Sequence, residues 1–310
     1  MRLALAVVLL VLSLPAAAQA PVRFVVAFAP GGIADTVARV VAQKVSEQIG
    51  RPVIVENRGG AAGNLAARAV AAAAPDGSAF LVHTAAFAIN PSLYRSAGYD
   101  PKDFVPVALI ASTPEVLAVH PTHRFAGLKE FVQVQKGRPV SYSTAGVGSS
   151  SHLTGEYLLR HLAGLDAVHV PYQGGAPAVT AALGNQVTLV ITSMPTAVPQ
   201  IRQGKLHAVA VTSANRTAAL PEVPTAIEAG YQLESLSWVG VLAPPGTKPD
   251  VAGRMNAEIT QAMRQREVRE RLEGIGFDPM PGGAEDFAGF LRSEVEKWAR
   301  LVRAANVKQD

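Results

Sequence analysis

The stretch VRFVVAFAPGGIADTVAR, residues 22–39, passes from a strand pattern through two adjacent glycines into a helix pattern. The apolar run 22–28 predicts a buried strand, and the apolar spacing from Ile33 onward predicts an amphipathic helix. Gly31 and Gly32 let a small molecule approach the backbone closely, and the first helical amides have no acceptors within the helix. Because the helix dipole is positive at that end, this corner favours an anion such as a carboxylate.

Alternating strand and helix patterns continue along the chain and predict an α/β fold with mainly parallel sheets. Gly50 follows the apolar stripe of the first helix, where a left-handed terminal residue is favoured. The last helix has a similar stripe that includes Trp298, which we predict to be a core residue. The predicted strands after the first cover 53–55, 79–84, 105–110, 116–119, 140–143, 168–170, 187–192 and 207–212.

The first twenty residues have the composition of a secretory signal peptide. Arg2 is followed by an apolar run at 3–14 and by the small-residue sequence Ala18-Gln19-Ala20. We expect cleavage after about Ala20 and export out of the cytoplasm. The chain contains no cysteine, so burial rather than disulfides must stabilise the exported fold. Its net charge of +4 comes from scattered basic residues, which argues against nucleic-acid binding.

The length predicts two lobes, because about 290 residues exceed one comfortable hydrophobic core. Crossings are expected near 120–121 and between 231 and 238. We therefore assign 21–120 together with 238–310 to lobe 1, and 121–237 to lobe 2. A cleft between two lobes is a common ligand site and a common hinge.

A second glycine-containing corner follows the predicted strand at 140–143 and precedes a helix predicted from about 150 to 161. Ser149, Ser150 and Ser151 are candidates for the helix N-cap. Four hydroxyl residues and two glycines around one corner also form a donor-rich cradle for an anion. The candidate ligand residues at this corner are Thr144, Ala145, Gly146, Ser149, Ser150 and His152.

The other candidate ligand residues also stand where strands end, and ligands of open α/β sheets collect at the carboxyl ends of strands. Tyr172 could line the cleft and Gln173 could hydrogen-bond a ligand, although a simple loop explains this segment equally well. Asp35 fits a helix-capping role best, and the alternative is that it holds an ordered water or the amine of a ligand. The remaining candidates are Phe28, Pro30, Gly31, Gly32 and Asp35 at the first corner, Thr84 and Ala85, Gly174, and Thr192 with Ser193.

Catalytic signatures are weak. The chain has no Gly-x-Ser-x-Gly elbow, no His-Glu-x-x-His zinc pattern and no dinucleotide or phosphate-loop fingerprint. We expect neither an enzyme nor a cofactor or metal. The alternative is a secreted serine hydrolase that uses Ser149 and His152, which would need a third polar group to orient the histidine.

Several motifs together resemble the Bug family, the exported solute-binding proteins of tripartite tricarboxylate transporters. Their order and spacing across nearly the whole chain after residue 20 make the resemblance specific. The motifs are FAPGGIAD at 28–35, VENRGG at 55–60 with 61–63, APDG at 74–77, NP at 90–91, YD at 99–100 with DF at 103–104, the segment 143–152, HVPYQG at 169–174, LPEVPT at 220–225 and WVGVLAP at 238–244.

This resemblance implies a periplasmic-binding-protein type II fold that closes on its ligand like a flytrap. It also implies that backbone amides of 30–32 and 144–150 hold a small organic carboxylate, partly through water, and that membrane transporter subunits are the partners. Many relatives have Asp then Asn where this chain has Thr192 and Ser193, which favours a ligand without an amine. We expect a monomer; a sensor that docks on a receptor is the remaining alternative.

Overall fold

The computed structural model describes residues 20–280 and 282–308. Apart from Ala20, the predicted signal peptide therefore lies outside the described residues. The strands are β1 (Val22–Val26), β2 (Val53–Asn57), β3 (Ala79–Thr84), β4 (Val105–Val119), β5 (Val140–Thr144), β6 (Ala167–Pro171), β7 (Leu189–Ser193), β8 (His207–Val211), β9 (Leu236–Ala243) and β10 (Asp278–Pro279).

Helices separate most of these strands, as the alternating pattern predicts. A short 3₁₀ turn, Ala61–Gly63, precedes the second helix. The α-helices are α1 (Ile33–Ile49), α2 (Asn64–Ala71), α3 (Ala86–Leu93), α4 (Leu128–Gln135), α5 (Ser150–Gly155), α6 (Gly175–Leu183), α7 (Met194–Arg202), α8 (Pro249–Arg264), α9 (Arg266–Gly274) and α10 (Ala284–Ala305).

The strands follow the order β2-β1-β3-β9-β4-β7-β5-β6, with β8 and β10 also paired to β4. In one lobe β1 runs parallel to β2 and β3, and in the other β5 runs parallel to β6 and β7. Every antiparallel pair involves β4 or β9. The fold is thus a two-lobed α/β structure of the predicted class, with antiparallel pairing at the connecting strands.

Strand β4 passes through both lobes. Pro114 is its last residue paired with β9, opposite Leu236, and Glu115 is its first residue paired with β7, opposite Ser193. The prediction of separate strands at 105–110 and 116–119 is therefore wrong. Proline and polar residues usually interrupt a strand, but here they occupy the point where the strand exchanges one partner for another. The lobe boundaries near 120 and 238 stay predictions.

Hydrophobic cores lie on both faces of each sheet. In the first lobe, α1 and α8 cover one face and α10 covers the other, so the C-terminal helices return to this lobe. Trp298 is fully buried, as predicted from its helical stripe. Leu153 of α5 is buried among residues of the first lobe, so the two lobes are in contact at α5.

Two local predictions have clear outcomes. Gly50 takes the left-handed conformation, with φ at 60°, and ends α1 as predicted. The helix predicted from about 150 to 161 is α-helical only over Ser150–Gly155, and Glu156–Leu162 continues as a π-helix. The pattern of apolar residues does not distinguish these two helix types, because they differ by one residue in hydrogen-bond register.

Within residues 20–280 and 282–308, none of the helices is both long enough and apolar enough to span a bilayer.

Candidate functional site

The first corner joins β1 to α1 and is organised by Asp35. The Asp35 carboxylate accepts hydrogen bonds from the Gly31 amide at 2.9 Å and from Arg39 Nε at 3.0 Å. Its other oxygen accepts one from Asn57 Nδ2 at 2.9 Å. Asp35 is only 3% exposed, so it is held inside the corner by these donors. Asp35 therefore binds the loop amide before the N-cap residue Gly32 and not a first-turn amide of α1, which differs from the capping role that the sequence favours.

The charge state of Asp35 follows from these contacts. Burial raises the pKa of its carboxyl, but hydrogen bonds from Arg39, Gly31 and Asn57 outweigh burial and hold the pKa below its ordinary value. Asp35 is therefore ionised at neutral pH. The positive charge of Arg39 compensates it, since Arg39 Nη2 lies 2.9 Å from Asp35 Oδ1.

The donors still available at the first corner are the next amides of α1. Because the Gly31 amide donates to Asp35, it is not free to bind a ligand directly. Within the described residues, the amides of Ile33 and Ala34 have no backbone acceptor outside their helix. Gly31 itself has φ at +80° and open space around its missing side chain, so a ligand can approach the chain there.

The carboxyl end of β3 lies beside the first corner. The ring of His83 packs edge-on against Phe28 at 5.5 Å, and its Nδ1 accepts a hydrogen bond from the Thr84 amide at 2.9 Å. Burial lowers the pKa of His83 to about 4, so the ring is neutral. Thr84 and Ala85 are both buried at this strand end.

The second corner joins β5 to α5. Ser149 is the N-cap of α5: its Oγ accepts from the His152 amide at 3.2 Å and donates to the Gly146 carbonyl at 2.7 Å. The capping role of Ser149 is thus confirmed. The Gly148 amide donates to His152 Nδ1 at 3.4 Å. The amides of Val147 and Ser150 have no backbone acceptor outside α5 in the described part of the chain.

Two histidines support this corner as neutral rings. His152 stacks on His169 with ring centres 4.1 Å apart, and His169 Nε2 lies 2.7 Å from Thr144 Oγ1. Burial lowers the pKa of His152 to about 3 and that of His169 to about 4. Two unprotonated rings can stack in this way without charge repulsion, so both histidines shape the loop as uncharged groups.

Ser149 and His152 do not form the nucleophile–base pair that the hydrolase alternative requires. Ser149 Oγ bonds to the Gly146 carbonyl and lies 3.0 Å from Ser151 Oγ, rather than bonding to the His152 ring. His152 Nδ1 is used by the Gly148 amide. A serine nucleophile needs a base within hydrogen-bonding reach, and the structure places the His152 ring in another role.

The other predicted residues of the second lobe lie next to this corner. The Tyr172 amide donates to the Thr144 carbonyl at 3.1 Å, and the Gly174 amide donates to the Ala145 carbonyl at 3.2 Å. Gly175 lies close to the end of β7, because a Cβ at Gly175 would be only 2.7 Å from Thr192 Oγ1. The end of β7 is therefore next to the loop that follows β6. Tyr172 is half-buried, Gln173 is exposed, and Thr192 and Ser193 are buried.

The segment 60–63 packs beside both corners. Sequence reasoning did not select it as a ligand site. A Cβ at Gly148 would lie 3.2 Å from Ala62 Cβ and 3.0 Å from Asn90 Oδ1. A Cβ at Gly63, the residue after Ala62, would collide with His83 and lie 3.1 Å from Ala27 Cβ, directly before the first corner. Both corners therefore adjoin this one segment. Ala61 and Ala62 have positive φ angles of 46° and 52°, a strain typical of functional segments.

Sequence reasoning also missed Glu115, which is 1% exposed at the junction between the lobes. Its Oε1 accepts a hydrogen bond from Ser150 Oγ at 2.5 Å. In the described structure its Oε2 has no hydrogen-bond partner, and burial raises the pKa of Glu115 to about 7. A glutamate inside a strand pattern gives no sequence signal of burial, because this residue type is usually exposed.

Two surface grooves lie elsewhere and have none of the predicted ligand residues in their linings. One of about 690 Å³ runs between the 101–106 segment and α10, and a second of about 290 Å³ lies beside the N-terminal end of β9 and α10. Neither groove contains the carboxyl ends of parallel strands. Within residues 20–280 and 282–308, no cluster of His, Asp or Glu side chains is suited to a metal ion.

A two-lobed α/β fold with donor-rich strand ends on both lobes defines a solute-binding protein of the periplasmic type. The family model described as the tripartite tricarboxylate transporter family receptor matches residues 37–307. The chain belongs to this family, which confirms the resemblance that the sequence motifs indicate.

Similar proteins agree with this assignment. Protein BugT of Bordetella pertussis is 35% identical over 295 residues, covering 93% of this chain and 90% of that protein. The structure of the periplasmic binding protein BugD is similar at a TM-score of 0.85 with 35% identity, covering 94% of this chain and 99% of the other.

Two similar solved structures contain dicarboxylates. Rpa4515 of R. palustris with adipate is 32% identical at a TM-score of 0.86, covering 93% of this chain and 98% of that one. MatC of Rhodopseudomonas palustris with bound malate is 33% identical at a TM-score of 0.81, covering 92% of this chain and 99% of that one.

Proposed function

We propose that this protein is an exported periplasmic receptor that captures a small organic carboxylate between its lobes. It delivers the ligand to the membrane subunits of a tripartite tricarboxylate-type transporter. The family membership supports the solute-binding role, and the adipate and malate found in similar proteins support a carboxylate ligand. We expect it to act as a monomer, without a cofactor and without binding nucleic acid.

The observation that supports the site most directly is that both corners adjoin the 60–63 segment. Gly148 of the second corner adjoins Ala62, and Gly63 adjoins the strand that leads into the first corner. In this proposal the ligand lies between the free amides of Ile33 and Ala34 on one lobe and those of Val147 and Ser150 on the other. Backbone amides at helix starts suit a carboxylate, because they combine hydrogen-bond donors with a positive helix dipole.

The glycine amides contribute indirectly in this proposal. Gly31 and Gly148 donate to Asp35 and His152, and these bonds hold each loop in the shape that exposes the next amides. The candidate ligand residues are those of the strand ends, together with Ala62 and Asn90, which the structure adds.

The ligand chemistry follows from the groups at the end of β7. Thr192 and Ser193 offer hydroxyl groups there, and no acid from β7 can pair with an ammonium group. Thr192 Oγ1 has no hydrogen-bond partner among the described residues, so it is available to a polar group of a ligand or a water molecule. We therefore propose an acid without an amine as the ligand, with Glu115, the acid paired in register with Ser193, in its neutral form.

The work of the protein is to stabilise one arrangement of the lobes by binding. A ligand that contacts both corners stabilises the closed arrangement more than the open one, and only this difference shifts the population. The closed lobes then present a surface that the transporter subunits recognise. No step of this cycle breaks a covalent bond in the ligand.

Calorimetry with a panel of acids tests the proposal. The panel contains mono-, di- and tricarboxylates without an amine, with aspartate and glutamate as matched amine-bearing acids. We expect at least one amine-free acid to bind and to reduce the radius of gyration in small-angle scattering. Tight binding of the amino acids alone would defeat the ligand assignment, and turnover of generic esters would support the hydrolase instead.

A further inference from the structure

The side chain of Glu115 is buried where the two lobes join, and one of its oxygens has no partner. Pro114 belongs to the sheet of the first lobe and Glu115 to that of the second. The carboxyl is 1% exposed, and its Oε2 makes no hydrogen bond to any described residue. An unsatisfied buried carboxyl is costly, so the position requires a reason beyond packing.

The surroundings of Glu115 place it at the proposed ligand site. Ser150, a candidate ligand residue of the second corner, donates from Oγ to Glu115 Oε1 at 2.5 Å. Ser193, a candidate residue at the end of β7, is its register partner. The Glu115 backbone is fixed by Thr212, whose Oγ1 accepts from the Glu115 amide at 2.9 Å. Glu115 therefore contacts one predicted ligand residue, Ser150, and is paired in strand register with a second, Ser193.

No described cation compensates a negative charge on Glu115. Strands β7 and β9 have no titratable side chain, and β8 has only His207, which pairs with Val119 at the far end of that strand. On α5 the neighbouring His152 is neutral because burial lowers its pKa. The acid that follows α5, Glu156, forms an ion pair in which Arg160 Nη1 lies 2.8 Å from Glu156 Oε2.

We propose that Glu115 binds the ligand as a neutral carboxylic acid, donating its proton in a hydrogen bond to a carboxylate of the bound solute. This inference rests on the proposed function and specifies the recognition at its site. An ionised Glu115 would repel an anionic ligand in a site that excludes water, whereas the protonated form offers the donor that a carboxylate needs. Capture at or above neutral pH is then coupled to proton uptake from solvent by Oε2, which approaches one proton per ligand only above the pKa of the free protein.

The coupling has a definite sign. Burial raises the pKa of Glu115 in the free protein to about 7, and a bound carboxylate that accepts its proton raises the pKa further. Affinity is therefore greatest below pH 7 and falls by up to about tenfold per pH unit above it, since one proton accompanies each ligand.

Calorimetry in two buffers of different ionisation enthalpy tests this coupling, with malate, adipate and citrate as probes. At about pH 8 the wild type should take up close to one proton per ligand, since Glu115 is then ionised before binding. Glu115→Gln keeps the shape and a donor, so it should bind with no proton uptake and with a flat affinity from about pH 6 to 8. In Ser150→Ala the fall in affinity should begin at a higher pH than in the wild type. The reason is that the Ser150 hydrogen bond lowers the pKa of Glu115, and the variant lacks this bond.

The outcomes separate this inference from the proposed function. Carboxylates that bind without proton uptake would overturn the role of Glu115 and leave the binding protein intact. If no acid binds, infrared difference spectra of the ligand-free protein still decide the question. We expect a buried carboxyl band that titrates near pH 7 and is missing in Glu115→Gln; a Glu115 already ionised at pH 5 would refute the proposal.

Discussion

Gly148 in the second lobe lies directly against Asn90 in the first, so that a Cβ at Gly148 would be 3.0 Å from Asn90 Oδ1. The same Asn90 donates from Nδ2 to the Ala62 carbonyl at 2.9 Å and to Asn64 Oδ1 at 2.7 Å. The asparagine thus positions the segment that both corners adjoin. This contact between lobes is the structural basis for treating distant parts of the chain as one site.

Replacing Gly148 should hold the lobes apart. In Gly148→Ala the added carbon would lie within 3.3 Å of Asn90, Ala62 and Leu93, at a φ of +80° that side chains rarely adopt. We expect at least a tenfold weaker affinity and a loss of ligand-induced compaction in small-angle scattering. Gly137→Ala is the matched control, since its φ is +75° but nothing lies within 4 Å. Equal affinity in both variants would contradict the contact's role.

Gly31→Val tests the first corner. Its side chain would enter the open space beside the Ile33 and Ala34 amides, so we expect binding to be lost while the protein still folds. The left-handed φ should cost about 1–2 kcal/mol of stability. Gly204→Val has the same strain, with φ at +68° and open space, on a loop outside the site. The prediction fails if calorimetry finds the two variants equally able to bind.

Asp35→Asn should make the fold less sensitive to acid while lowering its stability at neutral pH. The pKa of Asp35 is held below its ordinary value, so its stabilising contribution is present above about pH 4 and is lost as the pH falls through the lowered value. Denaturant unfolding at about pH 7 and pH 3 measures this. The stability gap between wild type and variant should shrink at the lower pH; a gap that widens would be the wrong sign.

Glu115→Gln should gain stability relative to the wild type as the pH rises. Because the folded pKa of Glu115 is raised to about 7, the wild type loses stability from about pH 4.5 up to that value and the amide does not. The shift sets an upper limit of roughly 3 kcal/mol for this difference. Thermal unfolding at about pH 5 and pH 8 checks it, and a constant difference across this range would contradict the raised pKa.

The tryptophan pair provides a stability test outside the site. Glu294 Oε2 accepts hydrogen bonds from the indoles of Trp238 and Trp298, each at 2.8 Å. In Glu294→Ala both buried N–H groups lose their acceptor, at about 1–3 kcal/mol each. We expect a lower midpoint in denaturant with unchanged ligand affinity below the transition. Glu296→Ala, an exposed acid on the same helix, should change neither quantity.

Much of the architecture was predictable because it follows from local patterns. Apolar runs located most strands, the apolar stripe located α1, and Gly50 ended it where a left-handed residue was expected. The hydroxyl residues before α5 contained its N-cap, Ser149. These features depend on residues within a turn or two of one another, so the sequence order already contains the interacting groups.

Contacts between residues far apart in sequence were decided only by the tertiary structure. Neither the passage of β4 through both lobes nor the burial of Glu115 follows from a local pattern, since Glu115 meets Ser150 and Ser193 across 35 and 78 positions. The amino-acid sequence by itself determined most of the strands and helices, the two glycine corners and the family. Folding determined which amides the protein already uses and which remain free, because those acceptors come from side chains that only packing brings together.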